Sequence, residues 1–350
     1  MVALNWPLQA PAPQDMRWLA VEDASAVPSG RTAGLVLAVR LGFPSARVEQ
    51  LALAVTEAAS NLYKHARQGA LLLRVNRDQE QPGIDLVTID AGPGLADVSE
   101  ARRDGHSTAG TLGIGLGAIG RLADFTDLYS VPGHGTVLVA RFWPVPGPPV
   151  PGPPVPGLPV IGCAGLIRPI TGETECGDDF AAVRAGEVVT AILCDGLGHG
   201  PLAAAAASQA VAAVLDQPDG EPAALLERVH RRMAGTRGGA VGIVQLTDSG
   251  SVARFAGLGN IAASILSGGT RKSMLSVPGI AGFQARVIRQ FEYDVPPGAA
   301  VILHSDGISS RWEVAAVPGL AARDPLVIAA VLLAEAGQHR DDAGVLVLKA

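Results

Sequence analysis

The first half of the chain shows the hydrophobic periodicities of both helices and strands. Val48–His65 carries apolar residues every three or four positions, and Ser45 precedes it as a candidate cap. This spacing predicts an amphipathic helix with one face in the core. Ile84–Ile89 and Thr136–Phe142 have the pattern of strands, and Gly115–Ala123 has the pattern of a helix start.

The second half also mixes the two patterns. Short apolar runs predict buried strands at Val188–Cys194 and Ala300–His304. Longer periodic stretches predict helices near Leu202–Leu215, Ala223–Met233 and Pro325–Ala336. Both halves are therefore expected to contain helices and strands.

A proline-rich segment separates the two halves. Pro144–Pro159 reads P-V-P-G-P-P-V-P-G-P-P-V-P-G-L-P, close to three copies of a V-P-G-P-P unit. Because proline fixes φ and lacks an amide donor, the segment is predicted to be an extended spacer reaching about 50 Å at ~3.1 Å per residue. A proline-rich ligand for the aromatic groove of a partner is the alternative. We expect a domain boundary here.

Composition narrows the function classes. The chain has 350 residues, 48% hydrophobic and 17% charged, which is enough for two domains with sizeable cores. A net charge of -6 without blocks of like charge gives no broad positive field, so nucleic acid is not an expected partner. Cys163, Cys176 and Cys194 form no C-x-x-C pair, which indicates reduced thiols and no zinc site. Without a leader pattern or an apolar run of about 18 residues, we expect a soluble cytoplasmic protein with no membrane partner.

The predicted helix of the first half carries a polar face. Glu57, Asn61 and His65 are four residues apart and therefore share one side of the helix. A carboxylate beside an amide suits Mg²⁺, and Glu57 is also placed to polarise an attacking hydroxyl or water. A solvated helix face is the alternative interpretation.

Two glycine-rich segments follow that helix. Asp90–Gly94 comes after a predicted strand, and Gly110–Gly117 precedes a predicted helix. Glycines let backbone amides approach phosphates, and a helix N-terminus adds attraction. Gly115–Gly120 fits G-x-G-x-x-G, but no strand directly precedes it, as a Rossmann unit requires. The alternative is that these glycines simply form turns. That interpretation would be reasonable for either segment alone, but it is a poor explanation of both segments occurring in this order.

The second half carries four acidic signals. Asp178-Asp179, Asp195-Gly196, Asp306-Gly307 and Asp341-Asp342 are spread over most of it, and Asp195 and Asp306 directly follow predicted buried strands. Carboxylates at strand ends can converge on a metal cluster, and oxygen-only ligation favours Mg²⁺ or Mn²⁺. Two such ions can hold a water as hydroxide and clamp a phosphoryl group. The alternative is that each Asp-Gly pair makes a turn.

Ordered motifs in the first half resemble those of the GHKL ATPases. They read T-E-A-A-S-N-L-Y-K-H-A, D-A-G-P-G-L, G-T-L-G-I-G-L-G-A-I-G-R-L-A-D and G-H-G-T. Within that family they are most similar to the anti-sigma and switch serine kinases of bacterial partner switching, of the RsbT type. Such kinases phosphorylate Ser or Thr of STAS-domain proteins, and a close relative type binds sigma factors directly.

This resemblance covers about Trp18 to Trp143 and implies ATP as cofactor. It implies Glu57 as the catalytic base and Asn61 as a Mg²⁺ ligand. It further implies that Asp90 recognises the adenine amino group and that Thr136 supports the adenine pocket. The glycines implied to contact the nucleotide are Gly92, Gly94, Gly113, Gly115 and Gly117.

Motifs in the second half resemble the metal-dependent protein phosphatase (PPM) family, in its SpoIIE branch and of the RsbX type. They read R-P-I-T-G-E-T-E-C-G-D-D-F, C-D-G-L-G-H-G, G-L-G-N-I and L-H-S-D-G-I. The resemblance covers Val160 to Ala350. It implies that Asp195 bridges two metal ions and that Gly196 offers its carbonyl oxygen. The remaining ligands that it implies are Asp178, Asp306 and Asp341.

The second half also departs from that pattern. The last motif ends Asp341-Asp342-Ala343-Gly344, without the usual hydroxyl residue, so the choice of ligand between Asp341 and Asp342 stays open. Asp179 is interpreted as a surface charge, His199 as a loop histidine, and Asn260 as a structural residue beneath the site.

The sequence therefore predicts an α+β protein of two domains. Residues 1–143 are expected to form a GHKL (Bergerat-type) ATP-binding α/β sandwich, 144–159 a linker, and 160–350 a PPM-type β-sandwich flanked by helices. The function hypothesis is a bifunctional partner-switching regulator, a Ser/Thr kinase joined to a Mg²⁺- or Mn²⁺-dependent phosphatase, with STAS-domain proteins as substrates. The alternatives are an ATP-binding module that sequesters a sigma factor while the phosphatase resets its antagonist, and a nucleotide sensor that controls the phosphatase.

Overall fold

A computed structural model describes the backbone of residues 6–9 and residues 16–77, 82–98, 115–145, 161–247, 250–338 and 340–349. Contacts group them into two units. One unit comprises 16–145. The other comprises 161–349 together with strand β1 (Trp6–Gln9), which pairs antiparallel with a strand of that unit. In the described part of the chain, no helix has both the length and the hydropathy of a membrane span.

The N-terminal unit is a five-stranded antiparallel sheet with helices on one face, in the strand order β2-β3-β4-β6-β5. Its elements are β2 (Met16–Val21), α1 (Ala26–Arg40), α2 (Ser45–His65), β3 (Gly69–Asn76), β4 (Gly83–Asp90), α3 (Gly115–Leu122), β5 (Phe125–Ser130) and β6 (Thr136–Phe142). The expected amphipathic helix is confirmed as α2. Its stripe, including Leu51, Val55 and Leu62, is buried in the core with Leu71 and Leu73 of β3.

The expected capping role of Ser45 is wrong. Helix α2 begins at Ser45 itself, Pro44 occupies the N-cap position, and no side chain makes a capping bond there. The amides of Arg47 and Val48 instead donate to the Pro44 carbonyl. Proline before the first helical residue sets an extended entry into the helix, so a hydroxyl cap is not needed for the turn to form.

A buried arginine ties the start of α2 to the end of the sheet. Arg47 forms an ion pair with Asp124, and its Nε and Nη1 donate to the carbonyl oxygens of Trp143 (3.0 Å) and Leu122 (3.1 Å). The amide of Trp143 donates to Asp124 at 2.8 Å. The end of this unit is therefore fixed by charge-assisted hydrogen bonds as well as by packing.

The C-terminal unit contains two antiparallel sheets, in the strand orders β1-β8-β9-β10-β11-β14 and β13-β12-β15-β16-β7. Its strands after β1 are β7 (Gly162–Arg168), β8 (Asp178–Ala185), β9 (Val188–Gly196), β10 (Gly239–Thr247), β11 (Val252–Leu258), β12 (Ala262–Ser267), β13 (Thr270–Met274), β14 (Gln290–Asp294), β15 (Ala300–His304) and β16 (Ala343–Lys349). Its helices are α4 (Pro201–Leu215), α5 (Pro222–Arg232) and α6 (Pro325–Ala336), with short 3-10 turns at Val314–Ala316 and Leu320–Ala322.

The layers follow from the burial pattern of the strands. Positions such as Ile192 and Cys194 of β9 face a core shared with α4 and α5, whereas α6 packs on β7 and β16 of the other sheet. Strand β8 of one sheet and strand β16 of the other contact each other. The α+β sandwich with flanking helices is thus confirmed. Residues 146–159 of the expected linker lie outside the described residues.

Candidate functional site

Three of the predicted acidic residues meet where the strands of the sandwich end. Asp178 of β8 and Asp195 of β9 stand directly opposite each other in the antiparallel register. Asp306 follows β15 of the other sheet, and its carboxyl group is hydrogen-bonded to that of Asp195. The fold therefore brings Asp306 to two carboxylates that lie more than a hundred residues earlier in the chain.

The electrostatics of this acidic cluster follow from burial and mutual repulsion. Burial, followed by the charges of Asp306, Asp341 and Asp342, raises the pKa of Asp195 to about 7. Burial and the neighbouring Asp195 raise the pKa of Asp178 well above its ordinary value. The pKa of Asp306 is raised by burial and by Asp341. These groups share excess negative charge that a cation would neutralise.

A serine between the sheets positions Asp178. The Ser305 hydroxyl donates to Asp178 Oδ2 at 2.6 Å and accepts from the Gly344 amide at 2.8 Å. The other oxygen, Oδ1, is buried without a hydrogen-bond partner. An unsatisfied buried carboxylate oxygen is costly unless an ion completes it. The sequence motifs predicted no role for Ser305, although a hydroxyl directly before a strand-end aspartate was the available signal.

The donor set fits a hard divalent cation. Among the described residues, no three His, Cys, Asp or Glu side chains already surround a common point as ligands of one ion. The fit rests instead on the unpartnered Asp178 Oδ1 and on the raised pKa of Asp195. All these donors are carboxylate oxygens, which Mg²⁺ and Mn²⁺ prefer.

The geometry separates Asp341 from Asp342. The two carboxylate oxygens of Asp342 accept hydrogen bonds from the amides of Ile170 (2.7 Å) and Gly177 (2.8 Å). Asp341 is exposed, and its charge acts on both Asp195 and Asp306. Asp342 is thus occupied in holding the loop before β8. This favours Asp341 as the residue that faces the cluster.

The backbone at Gly196 admits no larger residue. Its amide donates to the Gly177 carbonyl at 3.0 Å, and a Cβ atom there would lie 2.2 Å from the carbonyl oxygen of Ala203. The turn that follows Asp195 is therefore packed directly against the first turn of α4. Glycine at this position has a steric reason in the structure.

Three residues left outside the catalytic set have defined places. Asp179 accepts from Ser208 of α4 at 3.2 Å, away from the cluster, and burial raises its pKa to about 6. His199 is exposed, with Nδ1 lying 3.1 Å from Oε1 of Glu173. Asn260 donates to Asp306 Oδ2 at 2.6 Å, so it contacts the cluster directly. The sequence predicted only a structural role for Asn260 beneath the site, whereas the structure shows a direct hydrogen bond to the cluster.

The N-terminal unit brings a second set of predicted residues together. Asp90 ends β4 opposite Thr136 of β6, and Asp90 Oδ1 accepts from the Gly92 amide at 2.7 Å. Burial raises the pKa of Asp90. The hydroxyl groups of Ser130 and Thr136 lie 3.0 Å apart, and Ser130 also accepts from the Leu95 amide at 2.8 Å. These contacts order the loop after Asp90.

Helix α2 ends beside that loop. The Ala91 amide donates to the Arg67 carbonyl at 2.9 Å, just past the helix end, and a Cβ atom at Gly92 would lie 3.4 Å from the carbonyl oxygen of His65. Glu57 and Asn61 are half-buried on the same helix. The polar face of α2 and the Asp90 loop thus belong to one region of this unit.

The glycines predicted to contact the nucleotide differ in what the structure shows of them. Gly94 has φ +69°, and its Cβ would lie 2.3 Å from the carbonyl oxygen of Val131, so this turn requires glycine. Gly115 and Gly117 lie in the first turn of α3, as expected for a helix N-terminus. Gly113 lies outside the described residues.

Comparison with known proteins assigns each unit to a family. Residues 22–142 match the family of histidine kinase-like ATPase domains, and residues 185–350 match the family of stage II sporulation protein E (SpoIIE). The serine/threonine-protein kinase RsbT of Bacillus subtilis (strain 168) is 34% identical over 117 residues, which cover 33% of this chain and 88% of RsbT. The chain belongs to the RsbT family. In this family member the RsbT-like domain is joined to a SpoIIE-type phosphatase domain, the architecture of a partner-switching regulator.

Solved structures also resemble this RsbT-family chain. One, from a study of the bacterial stressosome as a modular system adapted to control secondary messenger signalling, is 28% identical with a TM-score of 0.50, covering 54% of this chain and 100% of that chain. Another, RsbX in complex with magnesium, is 18% identical with a TM-score of 0.48, covering 54% of this chain and 94% of that chain.

Proposed function

We propose that the C-terminal unit is a protein serine/threonine phosphatase that requires Mg²⁺ or Mn²⁺. The observation that carries this proposal is the buried, unpartnered Oδ1 of Asp178, which lies in the same cluster as the hydrogen-bonded carboxyl groups of Asp195 and Asp306. Carboxylates that lack compensating charge are the donors that hard cations prefer. The match to the SpoIIE family supports the same reaction class.

Each ligand has a place in this proposal. Asp195 would bridge two cations, and Gly196 would offer its carbonyl oxygen. Bound Mg²⁺ or Mn²⁺ would supply the charge that makes a coordinated water acidic and neutralises phosphoryl oxygens. Around them Ser305 holds Asp178 in place and Asn260 holds Asp306. The remaining ligands are Asp178, Asp306 and Asp341.

We propose further that the N-terminal unit binds ATP and Mg²⁺ and transfers phosphate to a serine or threonine. Asp90 and Thr136, opposite each other at the sheet end, would bind the adenine. Asn61 would hold Mg²⁺ and Glu57 would act as the base, both from the polar face of α2. The identity with RsbT, a serine/threonine-protein kinase, supports this assignment. The glycines proposed to contact the nucleotide are Gly92, Gly94, Gly113, Gly115 and Gly117.

The two activities would oppose each other on one partner, a STAS-domain protein in the cytoplasm. A tether between kinase and phosphatase raises the effective concentration of each site around a bound substrate. The proline-rich segment 144–159 is the proposed tether between domains at 1–143 and 160–350, except that strand β1 (Trp6–Gln9) pairs within the C-terminal unit. A bound substrate would then be phosphorylated and dephosphorylated without leaving the chain.

The experiment uses full-length protein carrying Asp195→Asn, so that transferred phosphate is retained. It is incubated with a STAS-domain protein of the same organism, Mg²⁺ and ATP labelled on the γ-phosphate. We expect label on a Ser or Thr of the STAS protein, loss of labelling with Glu57→Ala, and removal of the label by unlabelled wild-type protein. Asp179→Asn is the matched control and should behave as wild type. A stable complex with a sigma factor and no labelling would replace the kinase with a sigma-factor binder.

A further inference from the structure

A polar cavity lies beside the acidic cluster, within the C-terminal unit. It has a volume of about 480 Å³, and Asp306 and Asn260, which are hydrogen-bonded to each other, line it. The cavity is also lined by residues of the segment after Asp306, namely Ser309, Ser310 and Arg311. Pockets of roughly this size hold several non-hydrogen atoms of a ligand, more than a phosphoryl group alone fills. The cavity therefore has room for substrate groups next to the reacting phosphate.

The lining of the cavity also carries positive charge. Arg311 lines the cavity, and its guanidinium makes no hydrogen bond or ion pair with any described residue. On either side of Arg311 in the sequence, Ser310 and Trp312 both contact Arg271. Arg271 donates from Nη2 to the Ser310 carbonyl at 2.8 Å and stacks on Trp312, with 4.3 Å between its Cζ and the ring centroid. Arg271 thus stiffens the segment that presents Arg311.

The carboxylate of Asp306, which supplies the negative charge of the cavity, already has partners. Asp306 accepts from Asn260 at 2.6 Å and is hydrogen-bonded to Asp195, and in the proposed function it binds a cation. Gln338 Nε2 donates to the Asp306 carbonyl at 3.3 Å. With Asp306 neutralised, the unpaired Arg311 dominates the charge of the cavity. A guanidinium fork selects planar carboxylates and phosphates.

We propose that this cavity binds an acidic side chain of the phosphorylated substrate, close to the phosphoserine, and that Arg311 recognises its carboxylate. The inference rests on the proposed phosphatase function and adds to it a sequence preference. Arg311 is a specificity-determining residue in this assignment, because it lies beside the reacting groups and contacts a neighbouring part of the substrate.

The test uses the full-length protein with Mn²⁺. The substrates are a phosphoserine peptide with alanine at every flanking position, variants in which one flanking alanine is replaced by aspartate, and p-nitrophenyl phosphate. We expect aspartate at one flanking position to raise kcat/KM by about tenfold over the all-alanine peptide. Arg311→Ala should lower this ratio to about one, and Arg311→Lys should keep only part of it, because lysine retains the charge without the fork.

Arg289→Ala is the matched control, since Arg289 is an exposed arginine just before β14, on the other sheet, and should keep the wild-type ratio. Thermal unfolding of each variant checks that the fold is intact. Equal ratios in wild type and Arg311→Ala would overturn the proposal. So would an equal fall in the rates on p-nitrophenyl phosphate and on every peptide, which would assign Arg311 to the phosphoryl group. No hydrolysis of any substrate would contradict the phosphatase itself and the cavity assignment with it.

Discussion

Neutralising Asp195 should stabilise the cation-free protein. The pKa of Asp195 is raised to about 7 by burial and by the charges of Asp306, Asp341 and Asp342. An ionised carboxylate at this position therefore opposes folding whenever no cation balances it. Asp195→Asn keeps the shape of the side chain and removes the charge, so its free energy of unfolding in EDTA should exceed that of the wild type.

The size of the effect follows from proton linkage. The unfolded chain releases the Asp195 proton near pH 3.8 and the folded chain near pH 7, so the folded state holds more protons between these values. Stability of the wild type consequently falls as pH rises through this window and stays low above it. The difference amounts to about 4 kcal/mol at pH 8 and about 2 kcal/mol at pH 5.

Calorimetry of full-length protein in EDTA at the two pH values measures this difference. Since about 1 kcal/mol moves the melting temperature of a domain of this size by roughly 2–4 °C, the C-terminal transition of Asp195→Asn should lie several degrees higher at pH 8. The gap should narrow at pH 5. Saturating Mn²⁺ should reverse the order, because a ligand that binds only the folded state stabilises it by mass action and the variant binds it poorly.

Asp179→Asn provides the control. Burial raises the pKa of Asp179 to about 6, so its neutralisation should also stabilise the protein in EDTA. Its carboxylate contacts Ser208 and not the cluster, so the variant should gain as much from Mn²⁺ as the wild type. Equal melting temperatures for wild type and Asp195→Asn at pH 8, or an unchanged response of Asp195→Asn to Mn²⁺, would refute this reasoning.

Two further predictions concern the N-terminal unit. Arg47→Ala removes the buried ion pair with Asp124 and should lower the free energy of unfolding of this unit by about 3–5 kcal/mol, measured by chemical denaturation; a change below about 1 kcal/mol would contradict the structural role. Gly135→Ala should weaken ATP binding at least about tenfold, measured with a fluorescent analogue, because its Cβ would lie 1.9 Å from the Asp90 carbonyl oxygen. Gly133→Ala is the control, since its φ is also positive (+83°, against +86° at Gly135) but nothing lies within 4 Å of its Cβ. An equal loss of ATP affinity in both variants would contradict this reasoning, because it would show that strain at positive φ, and not the contact with Asp90, weakens binding.

The strand-end aspartates were predictable because a simple pattern places them. A continuous apolar run is typical of a strand buried on both faces, and Asp195 and Asp306 stand at or just past the ends of such runs, β9 and β15. A carboxylate cannot continue a buried strand without a partner. Its position therefore marks both the end of the run and the open end of the sandwich.

The partners of these aspartates could not be predicted in the same way. Ser305 reaches Asp178 across 127 positions of sequence, and Asn260 reaches Asp306 across 46. Such contacts depend on how the two sheets are stacked, which hydrophobic periodicity does not specify. The assignment of Asp342 to the amides of Ile170 and Gly177 has the same origin.

Strand β1 is a second feature that the local sequence pattern did not predict. Trp6–Gln9 has only four residues, and it pairs with β8, whose residues lie about half the chain away. Edge strands of this length have weak sequence signals, because one row of backbone hydrogen bonds and few side chains define them. The helix α2, by contrast, has 21 residues and a repeated apolar stripe, and its prediction was confirmed.

The central claim is that the acidic cluster catalyses cation-dependent hydrolysis of phosphoserine. The most direct measurement is phosphate release from a phosphoserine peptide by full-length protein as Mn²⁺ is titrated, with Asp195→Asn and Asp179→Asn in parallel. We predict activity that rises to saturation with Mn²⁺, disappears with EDTA, falls by on the order of 100-fold or more in Asp195→Asn and persists in Asp179→Asn. Hydrolysis that is insensitive to EDTA, or full activity of Asp195→Asn, would contradict the claim.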